Sequence, residues 1–231
     1  MEAAEETRTE DATPAPGSAE DALPYIEPLA VRGAPELVEK GLEFAHPDWP
    51  AHGYLQHQAD GVRANRVSGY SSPDGSTEVR GDNIQLCLDD GCVTFGDFLF
   101  VDGLVADFRV NGNLVSDNFL PGGGSDSRDG VTGTVASGYY ASGGGNTTVF
   151  VDLETESAEV SLVDSTLEGP GGDLAPMDLM NGVTGQDYVT PGSPGQVRLL
   201  FDTSELGGTV EVVLQCVTGC DGEVFLSLPL D

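Results

Sequence analysis

The apolar residues of the chain are spaced first with a helical period and then with a period of two. Asp48 is a good N-cap, and Pro50 suits the first turn of a helix that follows it. One face of this predicted helix is apolar, at spacings of three or four residues: Ala51, Leu55, Ala59 and Val62. A shorter helix is predicted over residues 35–42, with a proline in its first turn.

From about residue 66 the alternation of apolar and polar residues predicts strands. Residues 83–88, 92–100 and 104–110 read as three strands joined by Asp-Asp-Gly and Asp-Gly turns. The alternation predicts that Asp107 lies on the outer face, and its parity slips near Gly96 and Asp97, which predicts a bulge. We expect a short antiparallel meander with the helices packed on one face.

The second half of the chain has the pattern of a β-sandwich, with about seven short strands in about 100 residues. Alternating apolar residues mark five of them, near positions 149–153, 160–162, 197–201, 210–214 and 224–228. Two further segments lie near residues 135–140 and 174–179, and the second of them has a weak pattern. The predicted fold class is therefore mostly β with a small α+β part: N-terminal helices on a meander, then a sandwich.

Composition divides the chain into four predicted segments. Residues 1–22 carry seven acidic residues and one arginine, and we interpret them as a disordered acidic tether. Residues 23–120 form the small α+β domain, and the Gly- and Ser-rich residues 121–132 form a linker. Residues 133–231 form the predicted β-sandwich.

Several segments of this last part resemble a known family. They are TVFVDLE at residues 148–154, PGSPG at 191–195, VRLLFD at 197–202 and GTVEV at 208–212. A Pro-Gly turn before a strand that ends in Phe, followed by a Gly-led strand, is similar to the immunoglobulin-like (telokin-like) domains of bacterial exported proteins and lipoproteins. The resemblance covers only the C-terminal half and implies an immunoglobulin-like sandwich. Such domains have no general catalytic site, so it implies no functional residues.

The charge balance limits the partners. Asp and Glu total 39 against 9 Lys and Arg, a formal net charge of −30. A surface this acidic repels phosphate backbones and anionic lipids, so we expect no nucleic-acid partner. Cationic partners, divalent metals or a high-salt habitat are more compatible with this net charge. A further explanation is that the acidic residues serve only to keep the protein soluble. No stretch of 18 apolar residues exists, so we expect no membrane span.

Four cysteines form two close pairs, each flanking a turn. We predict local disulfides, Cys87 with Cys92 and Cys216 with Cys220, because residues across a hairpin lie about 5 Å apart at Cα. A four-thiolate zinc site and free thiols in a cytosolic protein stay open as alternatives. Disulfides predict an extracellular or cell-surface location. Since residues 1–6 are acidic, we expect the signal peptide of such a protein to have been removed.

Other candidate sites are weak. His46, His52 and His57 cluster near Asp48, but a spacing of five between the last two does not suit metal ligands on a helix, so we expect solvated histidines. Acidic turns at residues 89–90 and 126–129 lack the calcium-loop pattern. We therefore expect neither metal nor cofactor. A candidate ligand face is formed by aromatic residues, although core packing is an alternative use for them: Trp49, Tyr139 and Tyr140.

The sequence contains no recognisable catalytic motif, neither a Gly-x-Ser-x-Gly elbow nor a phosphate-binding loop. We therefore expect a non-catalytic exported or cell-surface-attached module that binds a protein or polymer partner. The alternatives are a secreted hydrolase with an acidic cleft between its domains and an extracellular subunit that assembles with copies of itself.

Overall fold

The computed structural model describes residues 13–31, 33–67, 74–88, 91–141, 145–177 and 183–230. Most of these residues lie in three antiparallel β-sheets, accompanied by three α-helices. The prediction of a mostly β fold is confirmed. Within the described residues, no helix is both long and apolar enough to cross a membrane.

The helices all lie in the first third of the chain. They are α1 (Ala19–Ile26), α2 (Pro35–Val38) and α3 (Pro50–Val67), with 3-10 helices at Glu27–Ala30 and Glu39–Phe44. Ser18 caps α1 by accepting a hydrogen bond from the backbone N–H of Asp21. The segment 35–42, predicted as one helix, is thus α2 followed by a tighter turn. Gly41 is needed there, because a Cβ would lie 2.6 Å from the Leu55 side chain.

The first sheet has six strands from the N-terminal half. They are β1 (Ala15–Pro16), β2 (Ser76–Arg80), β3 (Asn83–Leu88), β4 (Gly91–Val101), β5 (Leu104–Val110) and β6 (Asn113–Leu114). Their order is β2-β3-β4-β5-β6, and β1 pairs with β4. The predicted bulge is confirmed, because the β4–β5 register shifts between Gly96 and Leu99, and Asp97 has φ 49°.

Asp107 corrects one detail of the meander. It was expected on the outer face, but only 4% of it is exposed. Its carboxylate accepts hydrogen bonds from the backbone N–H groups of Phe108, at 2.8 Å, and Ser116, at 3.3 Å. Burial of this polar group is tolerated because its oxygen is satisfied by the backbone.

Eleven further strands form the second and third sheets. In chain order they are β7 (Phe119–Pro121), β8 (Ser125–Arg128), β9 (Val131–Ala141), β10 (Asn146–Thr155), β11 (Glu159–Glu168), β12 (Leu174–Pro176), β13 (Val183–Gly185), β14 (Tyr188–Val189), β15 (Gly195–Phe201), β16 (Gly208–Thr218) and β17 (Glu223–Leu230). The second sheet has the order β13-β15-β10-β9-β7, with β8 also paired to β9. The third has the order β12-β11-β16-β17, with β14 also paired to β11. Each of the seven segments predicted in this half contains a strand.

The second and third sheets share one apolar core. Alternate residues of their strands are fully buried in it, for example Val151 and Leu199 of the second sheet and Val212 and Leu226 of the third. A period of two places these residues on one face of each sheet, and burial of that face stabilises the pairing by about 25 cal/mol per Å² of apolar surface.

Helix α3 belongs to a second apolar core. There it packs on the first sheet, against Phe95 and Phe108, and also meets Phe119 and Tyr139 of the second sheet. Ala51, Leu55 and Ala59 of its predicted apolar face are completely buried. One helix thus connects the N-terminal meander with the C-terminal sheets.

Two boundaries of the predicted segments need correction. Residues 15–22, assigned to the disordered tether, contain β1 and the start of α1, with Ala19 and Ala22 buried. Residues 1–12 lie outside the described part of the chain. Residues 121–132, assigned to a linker, include all of β8 and the first residues of β9, which pair with each other. The wider division into domains stays a prediction.

Both predicted disulfides are present, Cys87–Cys92 and Cys216–Cys220. The first joins a directly opposed pair across the β3–β4 hairpin, with Cα atoms 4.0 Å apart. The second ties the end of β16 to the turn that precedes β17, with Cα atoms 5.7 Å apart. These pairings exclude the zinc and free-thiol alternatives.

Candidate functional site

Small residues on one side of α3 bring this helix close to the second sheet. A Cβ on Gly53 would lie 2.5 Å from the ring of Phe119, so only glycine fits there without a shift. At Gly61 the nearest atom to an added Cβ is Cζ of Phe150, at 3.8 Å. This close approach places the polar side chains of α3 against strands β9, β10 and β15.

His57 and Asp60 are the most buried of these polar side chains, each with 4% of the residue exposed. The contacts of His57 are mainly with the second sheet. Its Nδ1 lies 2.8 Å from the hydroxyl Oγ of Ser137 on β9. The ring of Phe150 meets the imidazole edge-on, at a centroid distance of 4.8 Å. Burial, with a smaller effect of the Arg198 charge, lowers the pKa of His57 to about 3. The imidazole is therefore neutral at pH 7 and serves as a buried contact.

Six residues further along α3, Arg63 holds two carboxylates together. Its guanidinium pairs with Asp60 on the same helix and with Glu39 from the preceding 3-10 helix. Burial raises the pKa of Asp60, and the Asp152 carboxylate adds to this effect, while Arg63 and Gln56 oppose it. The positive charge of Arg63 is thus balanced within the protein.

A cleft of about 390 Å³ opens beside this network. We call it the α3 cleft. Its walls come from the C-terminal turn of α3, from strands β10 and β15, and from the segment just before β15. The residues that line it are Arg63, Ala64, Val67, Asp152, Glu154, Gln186, Pro194, Gly195 and Gln196.

Three residues that line the α3 cleft carry hydrogen-bond acceptors: Asp152, Glu154 and Gln196. Asp152 and Gln196 are opposite each other on β10 and β15, and the Gln196 amide donates to the Asp152 carboxylate at 2.9 Å. The Gln196 carbonyl oxygen, Oε1, is buried and has no hydrogen-bond partner among the described residues. Glu154, two residues beyond Asp152 on the same strand, is exposed. A donor-rich cationic group would complement the Asp152 and Glu154 carboxylates.

One of the three residues of the predicted aromatic ligand face, Tyr139, is buried, and the face itself stays a prediction. Tyr139 is 9% exposed and packs on Tyr54 and His57, at centroid distances of 5.2 and 5.8 Å. Burial raises its pKa to about 12. Trp49 and Tyr140 are half-buried. For Tyr139 the alternative of core packing is therefore the better description.

The histidines also differ from the prediction that all three are solvated. His46 and His52 are half-buried, whereas His57 is in the core. Within the described residues, no group of three or more His, Cys, Asp or Glu side chains is arranged to hold a metal ion.

The residues of the α3 cleft were missed by sequence reasoning. One signal was present, because Asp60 and Arg63 are three residues apart on a predicted helix and form an ion pair at this spacing. Asp152 and Gln196 carried no such signal. They sit in strands as ordinary polar residues of the face opposite the shared core, and only their pairing across β10 and β15 brings them together.

Comparison with known proteins adds no functional assignment. The sequence matches no protein-family model, and a search of curated proteins finds no significant match.

Proposed function

We propose that this chain is a non-catalytic interaction module, exported or attached to the cell surface, that binds a cationic protein or polymer. The observation that carries the proposal is the distribution of charge. Arg8 and Arg32 lie outside the described residues, and five of the other seven cations are ion-paired within the chain. They are Arg63, Arg66, Arg80, Arg109 and Arg128.

Internal pairing of the cations leaves a large excess of carboxylates facing solvent. With 39 acidic and 9 basic residues, most carboxylates have no cation available to them. Such a surface attracts positively charged partners and accelerates their association. It also disfavours close contact with another acidic surface.

The extracellular part of the proposal is supported by the two disulfides. Disulfides persist in oxidising compartments and are rare in the cytosol. The immunoglobulin-like assignment of the C-terminal half is supported by two antiparallel sheets with one common core and by the sequence resemblance over residues 133–231. Immunoglobulin-like modules serve mainly in recognition, which agrees with a binding role.

We place the contact with a basic group of the partner at the α3 cleft. The carboxylates of Asp152 and Glu154 line this cleft, and Arg63 is already neutralised by its two carboxylates. A lysine ammonium or arginine guanidinium would donate hydrogen bonds to these oxygens. Its aliphatic stem would pack on the apolar lining from Ala64 and Val67.

The test uses a fluorescent octa-arginine peptide as the probe, with binding followed by anisotropy over a range of salt concentrations. We expect the double variant Asp152→Asn/Glu154→Gln to bind about tenfold more weakly, because it removes two charge-assisted contacts. The matched control is Asp82→Asn/Glu43→Gln, which removes the same charge from exposed sites elsewhere. Its affinity should fall by less than about twofold.

Equal losses in the two variants would show that net charge alone drives binding, and the α3 cleft would be rejected as the site. Absence of any salt-dependent binding to the wild type would reject the cationic partner itself. Turnover of a polymer substrate that Asp152→Asn abolishes would establish the hydrolase alternative instead.

A further inference from the structure

An apolar row crosses three strands on the outer face of the third sheet, and its central residue, Val213, is half-buried. Val213 on β16 is opposite Phe225 on β17 and opposite Asp164 on β11. Phe225 is 51% exposed and Val163, next to Asp164, is 44% exposed. We call Val163, Val213 and Phe225 the outer row.

A bulge in β11 turns Val163 outward. Val160 and Leu162 point into the shared core, and the β11–β16 register then shifts between Leu162 and Asp164. Without the shift, strict alternation would point Asp164 inward and would point Ser165 and Leu167 outward. With it, both Val163 and Asp164 are exposed, and Ser165 and Leu167 resume the inward positions.

The neighbouring rows of the same face are polar and acidic. On one side, Ser161, Gln215 and Glu223 are opposite one another across β11, β16 and β17. On the other side the corresponding residues are Thr166, Glu211 and Ser227, and Glu211 accepts a hydrogen bond from the Ser227 hydroxyl at 2.6 Å. An apolar centre is thus bordered by carboxylates on both sides.

We propose that the outer row is a docking surface for a protein segment with an apolar centre flanked by lysine or arginine. Burial of exposed Phe and Val side chains provides the affinity, and the bordering Glu211 and Glu223 select basic flanks. A second copy of this chain is a poor occupant, because each copy carries a net charge of −30 and would place carboxylates against carboxylates.

This surface is independent of the α3 cleft. The cleft is formed by α3 and the second sheet, whereas the outer row lies on the third sheet, on the face opposite the shared core. A substitution that removes the α3 cleft as a binding site leaves the outer row in place. A negative result with the octa-arginine peptide therefore does not decide this proposal.

The experiment uses two synthetic peptides and isothermal titration of the full chain. The first peptide is Lys-Lys-Leu-Trp-Leu-Lys-Lys, and the second has Ser in place of its three apolar residues. We expect the apolar peptide to bind Phe225→Ser at least about fivefold more weakly than wild type. The matched control is Leu174→Ser, which removes an apolar residue that is 68% exposed on β12 of the same sheet. It should change the affinity by less than about twofold.

If Phe225→Ser does not fold, as judged by circular dichroism, Val163→Thr provides the same test with a side chain of similar shape. Equal binding of the two peptides, or equal effects of Phe225→Ser and Leu174→Ser, would overturn the proposal. So would a wild-type dimer in sedimentation velocity that Phe225→Ser dissociates, because the occupant would then be a second copy.

Discussion

The hydrogen bond between His57 and Ser137, with Nδ1 and Oγ 2.8 Å apart, joins α3 to β9 across 80 residues of chain. Phe119, Tyr139 and Phe150 surround the imidazole, so water is excluded from it. The contact holds only while the imidazole is neutral, because a charged ring in this apolar setting would be poorly solvated. The junction between the N-terminal part and the second sheet should therefore depend on pH.

Stability should fall as the pH decreases from 6.5 toward 3. The folded pKa of His57 is about 3 and the unfolded value is 6.5, so in this window the unfolded chain binds a proton that the folded chain does not. Between pH 7.5 and 5 this difference amounts to about 2 kcal/mol of lost unfolding free energy. His57→Gln should lose less over the same interval, as measured by urea denaturation at both pH values.

The control for this prediction is His52→Gln on the same helix, which is half-buried and should keep the pH dependence of the wild type. If His57→Gln and the wild type lose the same free energy between the two pH values, His57 is not the group that titrates.

The two glycines that face the second sheet should respond in opposite directions to alanine. A Cβ at Gly53 would overlap the Phe119 ring at 2.5 Å, so Gly53→Ala should destabilise the protein by about 1 kcal/mol despite better helix propensity. At Gly61 the nearest atom is 3.8 Å away, and Gly61→Ala should stabilise it by up to about 1 kcal/mol. Thermal unfolding of both variants measures the difference.

A second change identifies the clash. Adding Phe119→Leu to Gly53→Ala should cost less than the sum of the two single effects, because the smaller side chain leaves room for the Cβ. Strict additivity would indicate that Phe119 does not limit the approach of α3.

Arg63 should be more important for stability than an exposed arginine. Arg63→Gln leaves the Asp60 carboxylate, whose side chain is 6% exposed, without its cation. A fully buried ion pair would lose more, but Arg63 is 41% exposed, so we expect the unfolding free energy to fall by about 2 kcal/mol. Arg80→Gln breaks a pair with Glu78 in which both side chains are more than half exposed, and it should cost less than about 0.5 kcal/mol. Urea denaturation compares the two.

Adding Asp60→Asn to Arg63→Gln should recover part of the lost stability, because the buried charge is removed with its partner. A double variant no more stable than Arg63→Gln would show that packing of the arginine stem, and not the buried carboxylate, accounts for the loss.

The strands were predictable because their signal is local. In 197–201 each residue's burial follows from its parity, and alternation of residue types also located β5, although Val105 to Phe108 are all buried there. The bulge at Asp97 was predicted from a slip of parity, whereas the one at Val163 was not predicted, although the inward positions change parity there too, from Leu162 to Leu167. Asp107 was misplaced because parity does not reveal that its carboxylate accepts backbone hydrogen bonds, from the neighbouring Phe108 and from Ser116 nine residues further on.

The α3 cleft could not be predicted in the same way. Asp152 and Gln196 are separated by 44 residues, and Arg63 comes from a helix more than 80 residues before Asp152. Only long-range packing brings them together, and single-residue patterns carry no information about it. His57 was judged solvated for a related reason, since the face of α3 that meets the second sheet is made of glycines, which give no apolar signal.

The disulfides should be present in the native protein and should contribute locally. The Cys216–Cys220 bridge closes a very short loop, so replacing both cysteines with serine should lower the unfolding free energy by about 2 kcal/mol in the chain-entropy model. The same substitution of Cys87 and Cys92 should have a similar effect, since that loop is only one residue longer. Chemical denaturation of each double variant provides the values.

The matching control is intact mass after alkylation without reductant, which should show no modified cysteine in the native chain. Four alkylated thiols would contradict both bridges and remove the support for an oxidising compartment. If the native chain keeps both bridges but neither double variant loses stability, the support for an extracellular location remains. It would show instead that the unfolded chain already keeps these turns closed, since a cross-link stabilises only by restricting an otherwise open loop.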